Sequence, residues 1–184
     1  MFLFGPVRVE GREKVPKSGP LLVLANHISD CDPPVVAYAI QRPVYFMAKE
    51  ELFRIRFFGG LIRWLRAFPV KRGAPDRAAI RMAMHYLERG EAVVIFPEGQ
   101  LSESGQLQPI QPGAAMIARM TGVPVLCVGL RGTNRIMPFR SLIPRPAFGG
   151  VRVRIGEPKR FSKETSTEEI VKWIQEELTR LTLE

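Results

Sequence analysis

The chain has 184 residues, 46% hydrophobic and 24% charged, with 27 Lys+Arg against 18 Asp+Glu for a formal net charge of +9. This length fills one well-buried core and excludes two ordinary domains, while the composition excludes a disordered chain. Two cysteines, Cys31 and Cys127, exclude a disulfide framework and lack metal-ligand spacing, so a reducing cytoplasmic setting and no bound metal are expected.

The opening stretch Met1 to Pro6 is apolar, but it is shorter than a signal peptide and has no basic leader. No uninterrupted apolar run approaches the ~20 residues of a spanning helix, so the chain is expected to lie on a membrane rather than cross one. Pro20–Ala25 is the first buried-strand pattern. It runs into Asn26-His27-Ile28-Ser29-Asp30-Cys31-Asp32, and Pro33–Ile40 then reads as a helix with proline in its first turn and Asp32 at the N-cap. Val44–Ala48 is a second strand. Between Glu51 and Phe68, Arg54, Arg56, Arg63 and Arg66 interleave with Phe53, Phe57, Phe58, Ile62, Trp64 and Leu65, and Gly59-Gly60 interrupts the run. That mixture fits a helical hairpin at a lipid interface, and it fits equally a core of aromatics with a solvated arginine face.

Ala67–Lys71 reads as a strand, and Asp76–Arg89 as a helix with Ile80, Met84 and Leu87 on one face and Gly90 as its stop. Ala92–Phe96 is a strand, Pro112–Thr121 a helix ending at Gly122, and Val123–Val128 a strand. The loop Arg135 to Arg145 mixes arginines with large aliphatics like the Glu51 to Phe68 segment. Val151–Ile155 alternates Val and Arg, as an edge or half-exposed strand does. The last segment, about 166–183, opens with Ser166 and Glu169 in capping-box spacing and carries Ile170, Trp173, Ile174, Leu178 and Leu181 along one docking stripe. The alternation predicts a single-domain α/β sandwich with a mostly parallel central sheet flanked by helices.

Two constellations carry chemistry. A histidine takes a proton near neutral pH, and a carboxylate beside it fixes its tautomer. Five residues apart, His27 and Asp32 are offset by about 140° on one continuous helix. They meet only if His27 sits in the strand-to-helix turn and Asp32 at the helix start. The residues alone equally allow Asp32 to be a cap and His27 a satisfied turn residue, and Asp30 stands closer still. The second constellation is Phe96-Pro97-Glu98-Gly99, where Glu98 falls at the carboxyl end of a strand, the usual place for sites in α/β sheets. Taken alone, it is also an ordinary turn. His85, inside a helical pattern with no partner, reads as structural or surface.

Asn26-His27, four residues and Asp32, then Phe68-Pro69-Val70-Lys71-Arg72, then Phe96-Pro97-Glu98-Gly99, then Val123-Pro124-Val125-Leu126 together resemble the four ordered motifs of the glycerolipid (lysophospholipid) acyltransferase family. The resemblance covers roughly residues 20 to 130. It implies an acyltransferase in which His27 is the general base on the acceptor hydroxyl and Asp32 orients it. The acyl donor would be acyl-CoA or acyl carrier protein as co-substrate, with no cofactor and no acyl-enzyme. Arg72, with Lys71, would hold the acceptor phosphate, and Glu98 and Gly99 would shape the acceptor site. Asn26, Ser102 and Arg131 are further candidates.

The acceptor implied is a lysophospholipid or glycerol phosphate, 1-acylglycerol-3-phosphate first. The third motif departs from the family, because Gln100, Leu101 and Ser102 stand where Thr, Arg and Ser are usual. With Gly105-Gln106-Leu107 and Gly113-Ala114-Ala115, the segment is also similar to domains that reacylate lysophosphatidylethanolamine, and Arg131 or Arg135 would supply replacement charge. Family members commonly carry a membrane-embedding segment ahead of the histidine motif. Only about two dozen residues stand there, so peripheral attachment at the inner face of the membrane is expected. Two readings from other classes are a non-catalytic lipid-binding module and a basic nucleic-acid-binding protein. Nucleic acid is disfavoured because the basic residues are scattered among large aliphatics without a nucleic-acid motif.

Overall fold

A computed structural model describes residues 5–54, 60, 62–63, 66–70, 76–139, 141, 145–146 and 149–183. Among the described residues seven strands, β1 (Val7–Glu10), β2 (Leu21–Ala25), β3 (Val44–Lys49), β4 (Ala67–Val70), β5 (Ala92–Ile95), β6 (Val125–Arg131) and β7 (Val151–Ile155), form one sheet in the order β1-β7-β6-β2-β5-β3-β4. Every described pairing is parallel except β6 with β7. The expected α/β architecture with a mostly parallel sheet is what forms.

β2 lies between β6 and β5 and is buried at all five positions. A strand covered on both faces has no position that favours a polar residue, which is why Leu21 to Ala25 reads as a continuous apolar run. One face carries α1 (Asp32–Ile40), through Val35, Val36, Ala39 and Ile40 against Leu21, Val23 and Ala25. The other carries α2 (Arg77–Glu88), α3 (Pro112–Thr121) and α5 (Thr167–Leu183), packed on Leu22, Leu24, Val93 and Cys127. α4 (Thr133–Ile136) is a single turn after β6. In α2 the expected face is realised with Leu87 buried and Ile80 and Met84 partly so, and Asp76 caps it by accepting from the Ala78 and Ala79 amides. The Ser166 amide donates to Glu169 Oε2 and the Glu169 amide to Ser166 Oγ, both at 3.1 Å, the expected capping box, and Ile170, Ile174, Leu178 and Leu181 are buried.

One expectation is narrowed and one is corrected. Val151–Ile155 alternates buried and half-exposed as its pattern requires, yet it is not an edge, because β1 covers it. β1 carries only two inward valines in four residues, too short a pattern to stand out. Asp32 is not the N-cap of α1: Cys31 holds that place, and Asp32 is the first helical residue.

In the Glu51 to Phe68 segment, Ile62 and Phe68 are buried, and the guanidinium groups of Arg63 and Arg66 lie over the rings of Phe53 and Tyr45 at 5.4 and 5.6 Å. Those residues follow the core reading. Arg56, Phe57, Phe58, Trp64 and Leu65 lie outside the described residues. Among the described residues no helix is long and apolar enough to cross a membrane.

Candidate active site

The carboxyl end of β2 is where the sheet ladder stops while the chain remains buried, so each backbone group there needs a partner from elsewhere. Asn26 supplies the first. Its side chain imitates a further ladder residue, donating from Nδ2 to the Leu130 carbonyl at 3.1 Å and accepting from the Leu130 amide at 2.7 Å. β2 is thereby tied to β6 one residue beyond its last backbone pair.

His27 follows, 6% exposed, with its backbone held from both sides by the segment after β5. Its amide donates to Glu98 Oε1 at 2.6 Å, and its carbonyl accepts from the Ser102 amide at 2.8 Å. The imidazole stacks on Phe96, with ring centroids 4.1 Å apart. Its Nδ1 meets Asp32 Oδ2 at 2.9 Å.

Asp32 reaches back rather than forward. Its fully buried Oδ2 also accepts from the Ile28 and Ser29 amides at 2.7 and 2.8 Å. The carboxylate therefore closes the turn that carries His27, instead of capping the helix it begins. An oxygen accepting from two backbone amides is an acceptor for the ring as well, so Nδ1 carries the hydrogen and Nε2 presents the lone pair. Ser29, fully buried, anchors the same turn by donating from Oγ to the Met137 carbonyl at 2.9 Å. Sequence reasoning missed Ser29, whose partner is 108 residues away. Asp30 is exposed, which leaves Asp32 as the partner.

Glu98 bridges two segments. Oε1 takes the His27 amide and Oε2 the Gln108 amide at 2.8 Å. Burial pushes its carboxyl above the ordinary carboxylate value, and the two backbone donors from Gln108 and His27 pull the other way. Gly99 has φ +74°, the left-handed region, and its amide closes the turn onto the Phe96 carbonyl at 3.1 Å. Ser102 is buried, with Oγ donating to the Gln106 carbonyl at 2.7 Å, so its hydroxyl organises this loop. Beside it, Gln100, Leu101, Glu103, Ser104 and Gln108 line a shallow polar pocket.

Lys71 and Arg72 lie outside the described residues. Arg131 is exposed at the end of β6 and lines a separate cleft with Arg135. His85 is exposed on α2, its ring 6.0 Å from that of Tyr86. Burial raises the thiols of both Cys31 and Cys127 above the ordinary value, which opposes thiolate chemistry at either. Among the described residues no group of three or more His, Cys, Asp or Glu side chains is placed to hold a metal ion.

A family model described as Acyltransferase matches residues 6–131. A chloroplastic 1-acyl-sn-glycerol-3-phosphate acyltransferase of Arabidopsis thaliana is 32% identical, covering 89% of this chain and 46% of its own length. One from Brassica napus is 30% identical, covering 81% and 47%. The chain thus spans about half the length of these two relatives. The crystal structure of the 1-acyl-sn-glycerophosphate acyltransferase from Thermotoga maritima superposes with a TM-score of 0.80 at 34% identity, covering 97% of this chain and 71% of that one.

Proposed function

The chain belongs to the acyltransferase family, and from that membership we propose that it moves a fatty acyl group from an acyl thioester to the free hydroxyl of a glycerophospholipid acceptor, 1-acylglycerol-3-phosphate first. The observation that carries this reading is the buried 2.9 Å contact between His27 Nδ1 and Asp32 Oδ2 at the carboxyl end of the central strand. His27 Nε2 takes the hydroxyl proton as the acceptor oxygen attacks the thioester carbonyl. The tetrahedral intermediate then collapses, the C–S bond breaks, and the leaving thiolate takes the proton back from the imidazolium. Asp32 holds the ring and stabilises its transient positive charge. No acyl-enzyme forms, in keeping with the raised thiols of Cys31 and Cys127.

Glu98, Gly99 and Ser102 act as positioning residues, holding the His27 backbone and the loop beside it. Lys71 and Arg72 are the proposed phosphate ligands, on the strength of their motif. The donor is acyl-CoA or acyl carrier protein. Attachment to the inner face of the membrane fits a water-borne thioester meeting an acceptor held in lipid.

Leu101 favours a second acceptor. Without a cation at that position, and with Glu103 in the neighbouring pocket, an ammonium headgroup such as that of lysophosphatidylethanolamine finds a complementary charge.

Thioester-dependent acylation of a lysophospholipid panel, wild type against His27→Ala, tests the reading. A loss of about 10²–10⁴-fold is expected. Equal rates would remove His27 from the chemistry. Wild-type inactivity on every acceptor would favour a lipid-binding module. Co-sedimentation with liposomes beside a nucleic-acid shift assay at matched salt separates the membrane and nucleic-acid readings, since charge-driven binding depends steeply on salt.

A further inference from the structure

At the same rim of the sheet, β6, β7 and β1 bring three arginines into a row. Arg131 is the register partner of Arg152 across the antiparallel β6–β7 pair, and Arg152 is the partner of Arg8 across the parallel β7–β1 pair. Register partners project to the same face. Val7, Val9, Val151 and Val153, which alternate with these arginines, pack into the core on the α1 face, so the arginines leave the sheet on the opposite face.

Arg135 of α4 completes the group. Its guanidinium lies so close to Gly149 that a Cβ there would stand 2.5 Å from Nη1, and a Cβ on Gly132 would stand 3.4 Å from Nη2. Both glycines have left-handed φ, +94° and +84°. With Pro6 and Gly150 these side chains enclose a cleft of about 340 Å³.

Like charges set directly opposite each other on neighbouring strands destabilise a sheet. Glu10 stands at the edge of the row, with Oε2 2.9 Å from Arg154 Nε and Oε1 4.0 Å from Arg152 Nε. Guanidinium forks match phosphate oxygens two at a time. With strands about 4.8 Å apart, the row spans roughly 10 Å, too wide for one phosphate and suited to separated ones.

We propose that this cleft binds the phosphate groups of the acyl donor, a CoA-type thioester whose nucleotide end carries a diphosphate and a separate phosphomonoester. The proposal rests on the acyl-transfer reading. An acceptor's phosphate stands only a few bonds from the hydroxyl presented to His27, whereas the row lies one to three strands from β2, up to about 14 Å, on the face away from α1. A donor joins such distant sites through its long pantetheine arm, which separates the phosphates from the reacting carbonyl.

Calorimetric titration of the full chain with coenzyme A and with pantetheine needs no turnover. The expected result is binding of coenzyme A and a loss of about tenfold or more in Arg8→Gln/Arg152→Gln, with a smaller loss in the single variant Arg135→Gln outside the sheet. Arg81→Gln, an exposed charge on α2, should keep the wild-type Kd. An unchanged Kd in the cleft variants, or coenzyme A binding no tighter than pantetheine, overturns the proposal. So does loss of binding to phosphatidylglycerol vesicles with the coenzyme A Kd intact, which would assign the cleft to the lipid surface. A wild type that binds coenzyme A through these arginines but acylates no acceptor sustains the cleft and overturns the acyl-transfer reading.

Discussion

Replacing Asp32 by asparagine removes one charge and almost no volume, and the geometry around Oδ2 sets the expected size of the effect. Three donors converge there at 2.7–2.9 Å: the Ile28 amide, the Ser29 amide and His27 Nδ1. A hydrogen bond to a charged acceptor contributes about 1 kcal/mol more than one to a neutral acceptor, so the three together lose about 3 kcal/mol. The new amide group would occupy the place of Oδ1, a buried atom that finds no hydrogen-bond partner among the described residues, and its unmet donors cost about 1–3 kcal/mol. Relief from burying a carboxylate offsets part of this.

The net expectation is a loss of about 2–4 kcal/mol, or roughly 5–15 °C in the thermal midpoint of a chain this size. Domains are typically stable by about 5–15 kcal/mol, so Asp32→Asn should still fold. Asp32→Ala, which removes the shared acceptor from all three donors, is the poorer probe. Because Asp32 is fully buried, the acceptor KM should hold while kcat falls by about 10²–10⁴-fold. Continuous detection of thiol release from acyl-CoA measures both constants. A folded Asp32→Asn enzyme with wild-type kcat would refute the assignment, and Asp30→Asn, at an exposed position, should stay within about twofold.

Glu98 makes a pH-dependent prediction. Burial raises its native carboxyl, so the folded state binds the proton more tightly than the unfolded chain. Its contribution is fully present below the unfolded value near 4.3 and is lost as pH rises through the raised native value. The urea midpoint of wild type relative to Glu98→Gln should therefore fall as pH rises from about 4 towards neutrality, and a constant gap would sink the argument. Asn26→Ala leaves both backbone groups of Leu130 without their partner, costing about 2–4 kcal/mol by urea unfolding and lowering kcat as the His27 turn loosens. An unchanged midpoint would show that Asn26 does not hold the strand ends together. Gly129→Ala would place a Cβ 2.6 Å from Leu181 Cβ, forcing the end of α5 off the sheet. About 1–3 kcal/mol and faster amide exchange in the last turn of that helix are expected, and unaltered exchange would contradict it.

Much of this protein is legible locally. Apolar runs locate the inner strands because strands covered on both faces admit only apolar residues. Gly122 ends α3, and the Ser166 and Glu169 pair opens α5, because caps are contacts within a few residues. The spacing of His27 and Asp32 marks the catalytic candidate for the same reason, with five residues separating them. What those two side chains do in space was not fixed by that spacing. A capping aspartate and a turn-closing aspartate share one sequence, and the α1 start decides between them by letting Oδ2 reach back to the Ile28 and Ser29 amides.

The long-range contacts were beyond local reading altogether. Glu98 meets the His27 amide across 71 residues, and Asn26 meets Leu130 across 104. The row of Arg8, Arg152 and Arg131 exists only because β7 turns antiparallel to β6 and takes β1 beside it. Periodicity is written in neighbouring residues, where backbone geometry enforces it. Register between distant strands is settled by how whole faces pack, so the sequence by itself marked His27 and Asp32 as a candidate pair, and only the tertiary structure decided that they meet, what holds them in place and which charges stand around them.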